Sequence, residues 1–187
     1  MLVDLQAKRV VLLIISMNKM KGFTLLELMI TLAIVAIVVS FGVPSFRGII
    51  MDNRLVSQTN QFIRSINLAR SAAVSFQRNA VLCVSTNYDA AVPTCAAGTD
   101  WSNGWIIWID KNRDSVTDAN EVVSVFPPLA ENTTFSSSAV SRFTYNARGF
   151  LAAGDDLTLC DSRSGETGRL IRVNPTGRTN VSDQGCT

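Results

Sequence analysis

The chain contains no histidine. This absence excludes Ser-His-Asp and Cys-His nucleophile pairs, and it excludes zinc sites that use histidine ligands. No glycine-rich phosphate loop follows any segment with a strand-like pattern. The one pair of adjacent carboxylates, Asp155-Asp156, follows a glycine, which indicates a solvated turn rather than two catalytic groups that converge on one atom. The sequence therefore argues against an enzyme.

An apolar run near the N-terminus carries almost no charge. Residues 25–43 include a single ionisable side chain, Glu27, and the run is long enough to span a bilayer as a helix. A carboxylate in such a segment is costly, so by default it has a function. An ordinary signal anchor, whose Glu27 reaches water at the membrane interface, is the alternative interpretation.

Basic side chains cluster before this run. Residues 1–22 hold four of the 17 basic residues and one of the 15 acidic ones, which leaves 13 basic and 14 acidic side chains beyond them. By the positive-inside rule, this asymmetry predicts a cytoplasmic N-terminus and a remainder that lies across the membrane.

Residues 21–29 join the basic segment to the apolar run with the sequence Lys-Gly-Phe-Thr-Leu-Leu-Glu-Leu-Met. This segment resembles the class III signal of type IV pilins and type II secretion pseudopilins. The resemblance implies that a prepilin peptidase cleaves between Gly22 and Phe23 and methylates Phe23. It also implies a single-pass protein of the inner membrane with a periplasmic C-terminal domain, later extracted into a filament. Glu27 would then pair with the N-terminal amine of Phe23 on a neighbouring subunit.

The leader implied by this cleavage site comprises residues 1–22. By comparison with the family, a leader that begins at Met17 or Met20 would suffice. We therefore expect residues 1–16 to be an artefact of the assigned start codon, and the whole leader is excluded from predictions of the fold.

A helical pattern continues beyond the apolar run. Apolar or small residues recur at spacings of three and four: Phe46, Ile49, Ile50, Leu55, Thr59, Phe62, Ile63, Ile66, Ala69 and Ala73. Pro44 is expected to kink this helix rather than end it. We predict one long, bent helix in residues 23–78, transmembrane at 25–43 and amphipathic at 44–76. Two helices joined by a loop at residues 42–48 are the alternative.

Short β-like runs separated by turn residues fill residues 79–187. The predicted strands are 80–85, 104–110, 121–126, 142–146, 157–161, 169–174 and 178–181. Asn-Pro-Thr-Gly at 174–177 predicts a turn between the last two. Strands that follow one long helix, without alternating helices, predict an α+β fold with a mainly antiparallel sheet.

Motifs in this β-rich part resemble the globular domain of FimT/GspH-type minor pilins. They lie, in order, at residues 101–110, 118–123, 147–149 and 175–178. The resemblance implies a structural, assembly-priming subunit of a type IV pilus or a type II secretion pseudopilus, with other pilins as its partners. The three tryptophans of the first motif are expected to pack in the core rather than to bind a ligand.

Four cysteines remain, Cys83, Cys95, Cys160 and Cys186, and none forms a Cys-x-x-Cys pair. An even count in an exported domain indicates disulfides. Of the three possible pairings, sequence locality favours Cys83–Cys95 and Cys160–Cys186. Four unpaired buried thiols are the alternative.

Residues 110–121 place oxygen-bearing groups at the spacing of an EF-hand calcium loop. The candidate ligands are Asp110, Asn112, Asp114, the carbonyl of Val116, Asp118 and Glu121. Position six should be glycine and is Ser115, and strands rather than helices flank the loop. A polar hairpin tip is therefore the favoured interpretation, and calcium the alternative; the sequence predicts no other cofactor.

Arginines near the C-terminus raise the alternative function of DNA binding during DNA uptake, which occurs in related FimT-type minor pilins. The candidates are Arg169, Arg172 and Arg178. From residue 141 onward there are six arginines and five acids, which is not the clustered positive charge that phosphate binding needs. Solvated arginines without a DNA-binding role are the favoured interpretation.

Overall fold

The computed structural model describes residues 22–163, 165 and 167–186. Of the predicted leader at 1–22, only Gly22 lies within them; the candidate starts Met17 and Met20 lie outside. The chain divides into two compact units between Arg47 and Gly48. Each unit is described by itself.

One helix, α1, extends without interruption over Leu25–Phe76. The alternative with a loop at residues 42–48 is therefore wrong: Pro44 lies within the helix, as the continuous pattern indicated. In the first unit the large apolar side chains of α1 are exposed. By length and composition this helix could cross a membrane, because its most apolar stretch has a mean hydropathy of 2.5.

In the second unit, α1 buries one stripe against the β-rich core. Leu55, Phe62, Ile66 and Ala69 are fully or almost fully buried, at the three- and four-residue spacing of one helix face. The earlier members of the predicted stripe, Phe46, Ile49 and Ile50, remain exposed.

In the described part of the chain, eight strands form two four-stranded antiparallel sheets. They are β1 Ala80–Val84, β2 Trp105–Ile109, β3 Val122–Phe126, β4 Thr133–Ser137, β5 Arg142–Tyr145, β6 Asp155–Asp161, β7 Thr167–Val173 and β8 Thr179–Gly185, with a 3-10 turn at Trp101–Asn103 before β2. The strand order is β3-β2-β1-β5 in the first sheet and β4-β6-β7-β8 in the second. The α+β, mainly antiparallel fold is thus confirmed.

The two sheets and the stripe of α1 share one hydrophobic core. The ring of Phe62 lies at its centre, 5.4 Å from Trp101, 5.5 Å from Trp105 and 4.9 Å from Phe135 between ring centroids. The indole nitrogen of Trp105 donates a hydrogen bond to Ser65 Oγ at 3.1 Å. All three tryptophans of the first motif are buried, as predicted.

Strands β1 and β2 are buried on both faces. Their outer face is covered by a second small cluster of Val81, Cys83, Ile106 and Trp108, against which Tyr88 and Cys95 pack. This double burial explains why both strands are continuous apolar runs instead of alternating patterns.

Two strands and one turn differ from the sequence prediction. Strand β4 was not predicted, and β8 continues to Gly185 instead of ending at Val181. Asp155-Asp156, predicted in a solvated turn, begins β6 instead. Both carboxylates have structural partners there: Asp155 Oδ2 accepts the N–H groups of Ala139 and Val140 at 3.1 Å, and Asp156 pairs with Arg172.

Candidate functional site

The predicted processing site lies directly before the first turn of α1. Gly22, Phe23 and Thr24 precede the helix, and the side chain of Phe23 is exposed. Thr24 caps the helix, because its Oγ1 accepts the N–H of Glu27 at 3.1 Å. Glu27 is therefore held in the first turn, where a carboxylate also interacts favourably with the helix dipole.

Both disulfides expected from the sequence are present in the structure. Cys83 on β1 is bonded to Cys95 in the following loop, with a Cα–Cα distance of 5.5 Å. The indole nitrogen of Trp108 donates to Cys95 Sγ at 3.3 Å, so this bond holds the loop over the outer face of the first sheet.

The second disulfide spans a strand. Cys160 on β6 is bonded to Cys186, which follows β8, at a Cα–Cα distance of 5.9 Å. Strand β7 lies between β6 and β8, and Gly168 of β7 leaves the space that the sulfurs occupy. A Cβ at Gly168 would lie 2.5 Å from Cys186 Sγ and 2.8 Å from Cys160 Sγ.

In the loop between β2 and β3, polar side chains form hydrogen bonds with the backbone of the loop itself. Asn112 Oδ1 accepts the N–H of Asp114 at 3.1 Å, and Asp114 Oδ1 accepts the N–H of Val116 at 2.8 Å. The amide nitrogen of Asn112 donates to Asp114 at 2.8 Å and to Asp118 at 3.2 Å.

Glu121 is the buried end of this loop, only 2% exposed. Its Oε1 accepts the N–H groups of Lys111 at 2.7 Å and Asn112 at 3.3 Å. Across the described residues, no three acidic, cysteine or histidine side chains lie close enough together to hold a metal ion as they stand.

The candidate DNA-binding arginines do not form one basic surface. Arg169 and Arg172 are three residues apart on β7, so their side chains leave opposite faces of the sheet. Arg169 forms an ion pair with Asp183. Two nitrogens of the Arg172 guanidinium donate hydrogen bonds to the two carboxylate oxygens of Asp156, each at 2.9 Å. The hydrogen bond from Arg172 holds the pKa of Asp156 below its usual value. Arg178 is exposed beyond the turn at 174–177.

One charged cluster was missed by the sequence analysis. Arg163 links the helix to the second sheet, because its guanidinium lies 2.7 Å from Asp52 of α1 and 2.7 Å from Asp161 of β6. The hydrogen bond from Arg163 lowers the pKa of Asp161. Asp52 and Arg163 are 111 residues apart, so no local pattern could have revealed the contact.

Two family models match the chain. The model described as Type II transport protein GspH matches residues 58–177, and the Prokaryotic N-terminal methylation motif matches residues 17–43. The chain belongs to the GspH family. The second match covers Gly22, Phe23 and Glu27, the residues singled out for processing and assembly.

Solved structures share the fold of this GspH-family chain. A crystal structure of the type IV minor pilin FimU of Pseudomonas aeruginosa has 20% sequence identity and a TM-score of 0.57, and it covers 73% of this chain and 96% of FimU. A second crystal form of FimU gives 18% identity and a TM-score of 0.52, covering 70% of this chain and 96% of FimU. No curated protein matches the chain.

Membership of this family decides the broad class of the protein. The GspH family and the fold are those of pilin-like structural subunits, which assemble with other pilins into a filament. The chain is therefore a minor pilin or pseudopilin and not an enzyme.

Proposed function

We propose that this chain is stored in the inner membrane as a single-pass precursor and primes the assembly of a type IV pilus or a type II pseudopilus. The observation that carries the proposal is the N-terminal methylation motif at 17–43, placed at the start of an uninterrupted apolar helix. The N-terminus is cytoplasmic, prepilin peptidase cleaves between Gly22 and Phe23, and the β-rich domain is periplasmic.

Glu27 is the proposed assembly residue. It is the single charged side chain between residues 25 and 43, and Thr24 fixes it in the first turn of α1. A carboxylate enclosed by apolar helices needs a cationic partner. The N-terminal amine that cleavage creates on Phe23 of a neighbouring subunit has the required charge, so the pair would set the register of the incoming subunit.

Processing and assembly can be tested separately. N-terminal sequencing of the mature chain should give N-methyl-Phe23, and Gly22→Ala should leave an unprocessed precursor, because the peptidase needs a close approach to the backbone there. An intact leader on wild-type chains in filaments would contradict the proposal.

Glu27→Ala should be processed and inserted into the membrane normally but should assemble at least about tenfold less efficiently, equivalent to about 1.4 kcal/mol. Ser40→Ala is the matched control: it removes a polar atom from the same helix, where Ser40 Oγ donates to the carbonyl of Ala36, and it should assemble normally. Equal assembly of both variants would contradict the role of Glu27. In a strain that lacks the gene, loss of piliation would assign the chain to a type IV pilus. Loss of protein secretion would assign it to a type II secretion system.

A further inference from the structure

We propose that a cavity at one end of the first sheet binds a small ligand with one ammonium group and two carboxylates, the chemistry of a dicarboxylic α-amino acid such as glutamate. The cavity is lined by residues that follow α1, β2 and β5 in the chain. Its volume is about 460 Å³, within the range of about 300–1,000 Å³ that is typical of sites for small molecules.

The first sheet fixes the position of this cavity. Asn79 precedes β1, Asp110 follows β2 and Ala147 follows β5, and all three line the cavity. The backbone N–H of Asp110 donates to the carbonyl of Asn79 at 3.1 Å, which continues the pairing of β1 with β2 beyond its last pair. The end of a packed strand therefore carries the Asp110 carboxylate, whereas Arg113 and Ser115 reach the cavity from the following loop.

Asp110 is the group that points to a ligand. It is only 8% exposed, and its Oδ1 is buried without a hydrogen-bond partner. A buried carboxylate oxygen without a donor is unfavourable, so a ligand that supplies a donor would remove that penalty. An ammonium group supplies both a donor and the opposite charge. It would also lie beside the C-terminal end of α1, where the helix dipole favours a cation.

Two arginines give the same cavity positive charge. Arg78 and Arg113 both line it, and neither is among the ion-pair partners found within residues 22–163, 165 and 167–186. One guanidinium nitrogen of Arg78 donates to the carbonyl of Gln77 at 3.1 Å. A guanidinium has five N–H donors, so both arginines keep donors that can bind a carboxylate.

The balance of charges selects the class of ligand. The cavity has two cationic side chains, Arg78 and Arg113, and one anionic side chain, Asp110, which gives a net charge of +1. A simple anion would be repelled by the aspartate, and a simple cation would be repelled by the arginines. A ligand with one ammonium group and two carboxylates offers each side chain an opposite charge, and its net charge of −1 balances that of the cavity.

Calorimetric titration of the full chain in detergent with three related compounds tests this match. L-Glutamate should bind at one molecule per chain. Glutarate lacks the ammonium group and L-glutamine lacks one carboxylate, so each should bind at least about tenfold more weakly than L-glutamate, because each loses one charge-assisted hydrogen bond. Equal affinity for the three compounds would overturn the proposal, as would the absence of L-glutamate binding up to about 10 mM.

Variants of the cavity separate the two ends of the ligand. Asp110→Asn should weaken L-glutamate at least about tenfold but should leave glutarate bound as well as before or better, because it removes only the partner of the ammonium group. Arg78→Gln and Arg113→Gln should each weaken both compounds. Arg142→Gln is the matched control: Arg142 is exposed at the other end of β5, and its variant should bind both compounds like the wild type.

Thermal unfolding separates loss of binding from loss of folding. Without ligand, Asp110→Asn should unfold no lower than the wild type, because an amide replaces a buried charge that has no partner. L-Glutamate should raise the unfolding temperature of the wild type and not that of Asp110→Asn. The proposal is overturned if Asp110→Asn weakens glutarate as much as L-glutamate, or if Arg142→Gln weakens binding as much as the two cavity arginine variants do.

Discussion

Gly177 closes the turn at 174–177 against the core with no room for a side chain. Its φ is +76°, and a Cβ there would lie 2.9 Å from Tyr145 Cε1 and 3.1 Å from the carbonyl oxygen of Gly149. The backbone N–H of Leu151 donates to the carbonyl of Pro175 at 2.8 Å, so two turns pack together around the buried Tyr145. Burial raises the pKa of Tyr145 to about 12, which keeps its hydroxyl neutral.

Gly177→Ala should lower the free energy of unfolding by about 1–3 kcal/mol, through the left-handed backbone and the overpacking at Tyr145. Denaturant unfolding of the purified chain measures the change. Gly185→Ala is the matched control, since a Cβ at Gly185 meets nothing within 4 Å, and it should change stability by less than about 0.5 kcal/mol. Equal losses in both variants would contradict this account of Gly177.

Asp161 should make stability depend on acid pH. Its folded pKa lies below the unfolded value of about 3.9, because Arg163 donates to the carboxylate. Its contribution is therefore complete above the unfolded pKa and is lost as pH falls through the folded pKa. Asp161→Asn should cost about 1–3 kcal/mol at pH 7 and should flatten the decline of stability below about pH 4.

The exposed Asp89→Asn should leave both the pH 7 stability and the acid slope unchanged, because no ion pair of Asp89 is found in the described part of the chain. If Asp161→Asn shows the same acid slope as wild type, its pairing with Arg163 contributes nothing measurable.

At the scale of elements, the helix and seven of the eight strands found among the described residues follow from local pattern. The apolar runs of β1 and β2, and the three- and four-residue spacing in α1, are strong enough to predict these elements from the sequence alone. Strand β4, Thr-Thr-Phe-Ser-Ser, has a single large apolar residue; only its alternation of buried Thr133, Phe135 and Ser137 with exposed neighbours marks it as a strand. The polar end of β8 looks like a loop because an exposed edge strand has little apolar surface to bury.

The two disulfides should each stabilise the segments that they join. Non-reducing peptide mapping of the exported chain should recover Cys83–Cys95 and Cys160–Cys186. Replacing either pair with serine should cost about 2–4 kcal/mol, and the pair with the longer loop should cost slightly more in the entropic model. Recovery of crossed pairs, or of free thiols, would contradict the strand order that places Cys160 two strands from Cys186.

For the whole molecule, the grouping of the strands into two sheets could not be predicted, because it depends on pairing between strands that are distant in sequence, such as Leu82 with Phe143 and Phe135 with Leu159. The spacing of Arg169 and Arg172 was informative, however: an odd offset along one strand already separates their side chains. The loop at residues 110–121 is the opposite case, since the spacing of its oxygen-bearing side chains was visible in sequence while the positive φ of Ser115 was not.

Because Arg169 and Arg172 are each paired with an aspartate and lie on opposite faces of β7, DNA binding should be weak. Gel shifts with duplex DNA should show binding that collapses between low and physiological salt. The double variant Arg172→Gln, Arg178→Gln should weaken this residual binding no more than Arg142→Gln, Arg148→Gln, which removes two exposed arginines elsewhere. Selective loss of DNA uptake in the first variant, with filaments intact, would favour the DNA-binding alternative.

The bond from Cys160 to Cys186 also determines how the domain would carry a mechanical load. Force applied at the C-terminus would pass through Cys186 directly to β6, which has neighbours on both sides, and would bypass the β7–β8 ladder at the sheet edge. The 26-residue separation of the two cysteines corresponds to about 90 Å of extended chain that cannot be drawn out while the bond is closed. Under tension, the disulfide would therefore carry the load, and the last strand would be shielded from it instead of being the first part of the domain to peel away.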